Sequence, residues 1–135
     1  MRILVTGSRD WRNRDAVWDA LADAAARSST ALHDIIVVHG DCPTGADHDA
    51  YLWTLATGTT HEPHPADWTT HGRKAGPIRN RQMVRLGAEE CLAFSRPCTS
   101  EKCPIIAVHG SHGTTETIDL AIRARIKTTI FKEGW

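Results

Sequence analysis

The chain has 135 residues, which suits one compact domain better than two. Hydrophobic residues make up 41% of it and charged residues 24%, near the averages of globular proteins, and no apolar run approaches the roughly 20 residues that a membrane helix needs. We therefore expect a soluble, cytoplasmic protein, and the net charge of zero disfavours a general nucleic-acid-binding protein with a broad positive surface.

Strand-like and helix-like patterns alternate along the chain. Short apolar runs predict five strands, at residues 2–6, 34–39, 59–65, 91–94 and 127–131. Apolar residues at helical spacing predict four helices, after Asn13 or Asp15, from Gly45, from Pro77 to about Gly87, and over residues 114–125. Prolines at positions 63 and 65 mark the third strand as an edge strand or one that ends early. This alternation predicts an α/β fold with a mostly parallel five-stranded sheet and helices on both faces.

Glycines follow three of the predicted strands. In open parallel sheets, ligands bind beyond the carboxyl ends of the strands, where loops meet helix N-termini. Glycine lets the backbone approach a phosphate, and the N–H groups of a first helical turn can bind an anion. The sequence contains neither a GxGxxG motif nor a P-loop, so the loops predict a phosphate site of another kind. The glycines concerned are Gly7, Gly40, Gly45, Gly110 and Gly113.

Charge is distributed unevenly between the two halves of the chain. Residues 1–67 carry ten acids and five bases, whereas residues 68–135 carry six acids and eleven bases. A cluster of basic residues without intervening acids consists of Arg73, Lys74, Arg79, Arg81 and Arg85. The cluster suits a small anionic ligand, although a solvated helix face would have the same composition.

Arg79 has the most informative position within this cluster. On the predicted helix it shares a face with Met83 and Leu86, which we expect to turn toward the sheet and to carry Arg79 inward. A cation that is partly buried at a helix start is costly unless it meets an anion. That anion is a bound phosphate or carboxylate, or else a buried Asp47 or Asp67.

Several motifs together resemble the YspA-type branch of the SLOG superfamily, which is related to the LOG phosphoribohydrolases and to DprA/Smf proteins. They occur in order along nearly the whole chain: Val5-Thr6-Gly7-Ser8-Arg9-Asp10-Trp11, His39-Gly40, Gly45-Ala46-Asp47, Pro65-Ala66-Asp67-Trp68, His71-Gly72, Ala75-Gly76-Pro77, Arg79-Asn80 with Met83, and Gly113-Thr114.

The resemblance implies a Rossmann-like three-layer sandwich that forms a single domain over residues 1–135. It also implies a nucleotide or a nucleotide derivative, such as an ADP-ribose-like molecule, bound over the first, second and fourth strand–helix loops. The residues expected to bind it are Gly7, Ser8, Arg9, Asp10, Trp11, Gly40, Gly45, Ala46, Asp47, Asp67, Trp68, Arg79, Asn80, Met83, Gly110, Ser111, Gly113 and Thr114.

The enzymatic relatives imply an alternative function. LOG proteins release the base from a nucleoside 5′-monophosphate with an arginine at a helix start and a glutamate after a glycine-rich turn. Arg79 with Met83 is similar to the first element, but the glutamate of the second falls at Thr117, one residue after Glu116. One residue is about 100° of helix rotation, so Glu116 is either the catalytic carboxylate or an ordinary first-turn acid.

Cysteines and histidines are concentrated in an insertion at about residues 95–112. Cys98, Cys103, His109 and His112 supply the sulfur and nitrogen ligands that a structural zinc ion prefers. Their spacing is irregular, and the two cysteines could equally be free thiols in a loop.

Two tryptophans occupy positions that fit either a ligand site or the core. Trp11 and Trp68 each follow an aspartate, and each would suit either stacking on a base or closing the end of the core.

We expect binding or sensing of a nucleotide, with N-glycosidic hydrolysis through Arg79 and Glu116 as the alternative and single-stranded DNA binding as a third class. A homodimer is implied by analogy with LOG relatives.

Overall fold

The computed structural model describes residues 1–105 and 108–135, and within them five strands form one sheet. All neighbouring strands are parallel, and their order is β3-β2-β1-β4-β5. The predicted α/β fold is thus confirmed, and β3 lies at an edge, as its prolines indicate. The strands are β1 Arg2–Gly7, β2 Ile36–His39, β3 Thr60–Pro63, β4 Glu90–Ser95 and β5 Lys127–Lys132.

Helices cover both faces of this sheet and make it a three-layer sandwich. Successive side chains of a strand point to opposite faces, so Ile3 and Val5 of β1 pack with α1 and α2, whereas Leu4 packs with α4 and α5. All three side chains are fully buried, as expected for a central parallel strand. The helices of the described residues are α1 Arg14–Ser28, α2 Gly45–Thr57, α3 Trp68–His71, α4 Ala75–Leu86 and α5 His112–Arg123.

Helix α4 differs in two respects from the prediction. A 3₁₀ turn at Gly72–Lys74 continues directly into α4, so Pro77 is the third residue of α4 and not the first. The first four N–H groups of an α-helix have no partner within that helix, so a proline is tolerated at this position. Leu86, which was expected to face the sheet with Met83, is 54% exposed in the last turn, and Val84 is buried instead. The expectation for Leu86 was therefore wrong, since the helix ends beyond the part that covers the sheet.

The strand order has its switch point between β1 and β4, where the side on which successive strands are added to the sheet changes. Strands β2 and β3 are added on one side of β1, and β4 and β5 on the other. Parallel α/β sheets bind their ligands outside the carboxyl ends of the strands at such a switch point. No helix within residues 1–105 and 108–135 has both the length and the apolar character needed to cross a membrane.

Candidate functional site

A cavity of about 740 Å³ lies at the carboxyl ends of β1 and β4, and we call it the edge cavity. This volume falls within the usual range of small-molecule sites. Most of the predicted ligand-binding residues line it, namely Gly7, Ser8, Arg9, Asp10, Gly40, Asp47, Trp68, Arg79, Asn80, Met83, Ser111, Gly113 and Thr114, together with Glu116. It therefore brings together three strand–helix loops and the first turns of α4 and α5.

The Arg79 side chain is held in place on the wall of the edge cavity. Its Nε donates to Asn80 Oδ1 at 2.8 Å, and its Nη1 donates to Gly40 O at 2.6 Å and to His64 O at 3.3 Å. Burial lowers the pKa of Arg79 and the Asp47 charge opposes that effect, but an arginine remains a cation at neutral pH. The guanidinium is therefore a fixed positive charge whose direct protein partners are neutral oxygens.

Asp47 approaches the same place from the first turn of α2. Its Oδ2 accepts from Gly40 N at 3.1 Å and from Cys42 N at 3.4 Å, and the side chain is buried. Burial raises the pKa of Asp47 from 3.8 to about 6, against the opposing charge of Arg79. A Cβ atom on Gly40 would lie 2.5 Å from Arg79 Nη1 and 3.0 Å from Asp47 Oδ2, so glycine is what allows both groups to approach.

Asp67 takes no part in this arrangement. It is exposed, lies outside the wall of the edge cavity, and its Oδ1 accepts from Thr70 N at 3.1 Å as the N-cap of α3. Hydrogen bonds from Thr70 lower the pKa of Asp67 from its ordinary value. Asp67 is therefore the N-cap of α3 and not the partner of Arg79, and it lies apart from the predicted ligand-binding residues that line the edge cavity.

The start of α5 forms another part of the wall. None of the described side chains caps this helix, so the N–H groups of its first turn, at His112, Gly113 and Thr114, are available as donors. Ser8 Oγ lies 2.8 Å from Ser111 Oγ, which donates to Thr114 Oγ1 at 3.0 Å. This chain of hydroxyl groups joins the loop after β1 to the helix start.

Glu116, from the first turns of α5, is one of the acidic residues that line the edge cavity. One of its carboxylate oxygens, Oε1, is buried without a hydrogen-bond partner among the described residues. Thr117, where the LOG motif would place the glutamate, is fully buried and donates from Oγ1 to Gly113 O at 3.0 Å. A carboxylate is therefore present at the cavity, although the sequence offset suggested that it would point elsewhere.

The two tryptophans have different environments. Trp68 is 51% exposed on the cavity wall, and the Arg9 guanidinium lies 5.8 Å from the centre of its ring. Trp11 is buried, packs edge-on against Phe94 with ring centres 5.3 Å apart, and donates to Asn13 O at 2.8 Å. Trp11 is therefore a core residue, whereas Trp68 is accessible to a planar ligand.

Three other expected residues lie behind the wall rather than on it. Gly45 has φ of +73° and its Cα faces the carbonyl oxygen of Ser8, which leaves no room for a side chain. Ala46 is buried in the core, and Gly110 forms a β-bridge with Pro97. These residues shape the loops without facing the edge cavity.

Sequence reasoning missed part of the wall that comes from the insertion. Pro97, Thr99 and His112 line the edge cavity, although Pro97 and Thr99 were not expected to bind ligand and His112 was expected only as a metal ligand. The position of Pro97 and Thr99 directly after β4, and of His112 at the start of the next helix, is the signal that could have identified them. The four predicted metal ligands also lie together at this end of the sheet.

His39 is a further buried titratable group beside the edge cavity. Its Nδ1 accepts from Asp41 N at 3.0 Å, and its Nε2 lies 3.4 Å from His61 Nδ1. Burial, and next the neighbouring His61, lower the pKa of His39 to about 4. The imidazole is therefore neutral at pH 7 and shapes the loop that carries Gly40.

The fold and the edge cavity define a Rossmann-like α/β protein with a cavity at the switch point of its sheet. The profile of the "YspA, cpYpsA-related SLOG family" matches residues 1–71. The "Gene 61 protein" of Mycobacterium phage D29 is 50% identical over 98 residues, which span 69% of this chain and 75% of the phage protein. No solved structure matches the chain significantly. The chain belongs to the YspA, cpYpsA-related SLOG family, whose members are associated with nucleotide-related binding or activity.

Proposed function

We propose that the edge cavity binds a nucleotide or a nucleotide derivative of the ADP-ribose type. The observation that carries the proposal is the pairing of Arg79, a fixed cation with neutral direct partners, with the uncapped start of α5 on the wall of the same cavity. Both features stabilise negative charge, and their combination suits phosphate groups.

The other wall residues suit the remaining parts of such a ligand. Trp68 offers an exposed aromatic face on which a base could stack, with Arg9 alongside. Asp47, because its pKa is raised to about 6, is poised to take up a proton when a phosphate enters. A neutral carboxyl group would no longer repel the anion beside Arg79.

Hydrolysis of the N-glycosidic bond is the second candidate function, and Glu116 favours it. Water would attack the anomeric carbon, the bond to the base would break, and the base would leave with a proton. A carboxylate beside the sugar would stabilise the positive charge that develops in the transition state. The unpartnered buried oxygen of Glu116 on the cavity wall suits that role.

Calorimetry with ADP-ribose and AMP, together with chromatography of the products, tests both functions. We expect saturable binding of ADP-ribose and no release of adenine. Release of adenine and ribose 5-phosphate from AMP, abolished by Glu116→Gln and retained by Asp119→Asn, would instead establish the hydrolase. Asp119 is the matched control because it lies on the same helix, is exposed, and does not line the edge cavity. Absence of binding to either nucleotide at millimolar concentration would contradict the proposal.

Single-stranded DNA binding remains the third class, and it has a distinct signature. Affinity for a nucleic-acid backbone falls steeply with salt, because binding releases counterions. We expect no binding of a single-stranded oligonucleotide at physiological salt. Tight binding with a steep salt dependence would favour this class over the small-molecule ligand.

A further inference from the structure

The insertion after β4 brings two cysteines and two histidines together. The ligand atoms of Cys98, Cys103, His109 and His112 all lie within 4.8 Å of one another. Cys103 Sγ lies 3.3 Å from the Nε2 atoms of both histidines, and Cys98 Sγ lies 3.6 Å from His112 Nε2.

The three sulfur–nitrogen separations, of 3.3, 3.3 and 3.6 Å, match the edges of a tetrahedral zinc site. Zinc–sulfur bonds of about 2.3 Å and zinc–nitrogen bonds of about 2.0–2.1 Å place neighbouring ligand atoms about 3.3–3.8 Å apart in a tetrahedron. Hydrogen bonds would join these atoms only in pairs, with each thiol as a weak donor or a weak acceptor. A shared metal ion satisfies all four groups at once.

The orientation of His109 supports the same interpretation. Its Nδ1 lies 2.9 Å from Gly110 O, and since a carbonyl oxygen can only accept, Nδ1 carries the proton. The Nε2 atom of the neutral ring then presents its lone pair toward Cys103. Histidine ligands are commonly oriented in this way, with the second ring nitrogen donating to a carbonyl group.

The backbone of the insertion holds the ligands in this arrangement. Cys98 N donates to His109 O at 2.7 Å, and Ser111 N donates to Arg96 O at 3.0 Å. Cys103 N donates to Ser100 O at 3.2 Å and closes a turn between the two cysteines. The segments at residues 96–98 and 109–111 are thus fixed side by side by backbone hydrogen bonds alone.

We propose that Cys98, Cys103, His109 and His112 bind one zinc ion in a structural, four-coordinate site. Two sulfur and two nitrogen ligands select zinc over magnesium or calcium, which require oxygen ligands. The other cysteines lie elsewhere: Cys91 is buried in β4, where burial raises its pKa to about 12, and Cys42 lies near Thr44.

The zinc site also positions one wall of the edge cavity. His112 is the first residue of α5 and lines the edge cavity, as do Pro97 and Thr99 of the insertion. Zinc would therefore fix the start of α5, whose N–H groups we assign to phosphate binding. This consequence rests on the proposed function, whereas the zinc site itself does not.

Elemental analysis of the tag-free 135-residue chain, purified under reducing conditions and exposed to zinc, tests the site directly. We expect about one zinc ion per chain, and less than about a tenth of that in Cys103→Ser or His112→Ala. The matched controls Cys42→Ser and His33→Ala, outside the cluster, should retain it. Zinc-free wild-type protein, or variants that keep their zinc, would overturn the proposal.

Cobalt substitution of the wild-type protein adds a test that does not depend on the folding of a variant. After chelation of zinc, cobalt should give a thiolate charge-transfer band and the intense visible bands of tetrahedral coordination. A weak octahedral spectrum, or a disulfide between Cys98 and Cys103 in the reduced preparation, would contradict the site. If zinc binds but ADP-ribose does not, the proposed function fails while the zinc site stands.

Discussion

Replacing Arg79 by glutamine is the most informative single change at the edge cavity. The substitution removes a positive charge on the cavity wall and keeps a polar side chain of moderate length. Arg79 is held by Gly40 O, His64 O and Asn80 Oδ1, so its position costs no ordering when a phosphate binds. We therefore expect a large loss of affinity for ADP-ribose.

The size of this loss follows from the kind of bond that is removed. A hydrogen bond between charged groups contributes about 1.5–3 kcal/mol. At about 1.4 kcal/mol for each factor of ten, the dissociation constant should rise about 10- to 150-fold. Lysine should restore only part of the affinity, because it lacks the fork that can hold a phosphate and a carbonyl group together.

Calorimetry of the variant beside Arg81→Gln provides the control. Arg81 belongs to the same basic cluster and the same helix, but it is exposed and does not line the edge cavity. Circular dichroism establishes that both variants are folded at the temperature of the titration. A loss smaller than about threefold, or an equal loss in both variants, would refute the role of Arg79.

Three further predictions concern the groups around Gly40. Gly40→Ala forces a methyl group against Arg79 and should lower the free energy of unfolding by about 1–3 kcal/mol in urea denaturation, whereas Gly113→Ala, whose Cβ meets open space, should not lower it. Asp47 holds its proton more tightly when folded, with a pKa of about 6 against 3.8, so ionisation destabilises the fold as the pH rises through this range. From pH 7 to pH 5 the wild type should gain about 1 kcal/mol from this group, and Asp47→Asn should abolish that gain. His39 has a pKa of about 4 when folded against 6.5 ordinarily, so acidification from pH 7 to pH 5 should cost about 2 kcal/mol, and His39→Gln should remove that cost. Urea denaturation of each variant at both pH values measures these opposite slopes, and equal slopes in wild type and variants would contradict the assignments.

Most of the fold could be predicted because its strands are buried on both faces. Such strands have continuous apolar sequences, and the apolar runs that contain Ile3, Val37 and Leu92 form the three central strands of the sheet. Helix ends were less predictable. Periodicity places Leu86 on the inner face of α4, but only the packed structure shows that the last turn extends beyond the sheet.

The location of the edge cavity could also be predicted, but the individual contacts on its wall could not. Glycines after strands indicated the carboxyl edge, where the edge cavity lies. The sequence could not decide whether Trp11 faces a ligand or the core, because an aromatic ring suits both environments. Likewise, no spacing rule shows that Arg79 reaches the carbonyl oxygen of Gly40, which is 39 positions away.

Amide NMR of the isotope-labelled protein during titration with ADP-ribose tests whether a nucleotide derivative binds in the edge cavity. Because each amide reports on its own surroundings, the spectrum locates the ligand without any substitution. We expect saturable shifts that are largest at Gly7, Gly40, Gly113 and Thr114. Shifts confined to the opposite edge of the sheet, near Arg2 and Lys127, or no shifts at millimolar ligand, would contradict it.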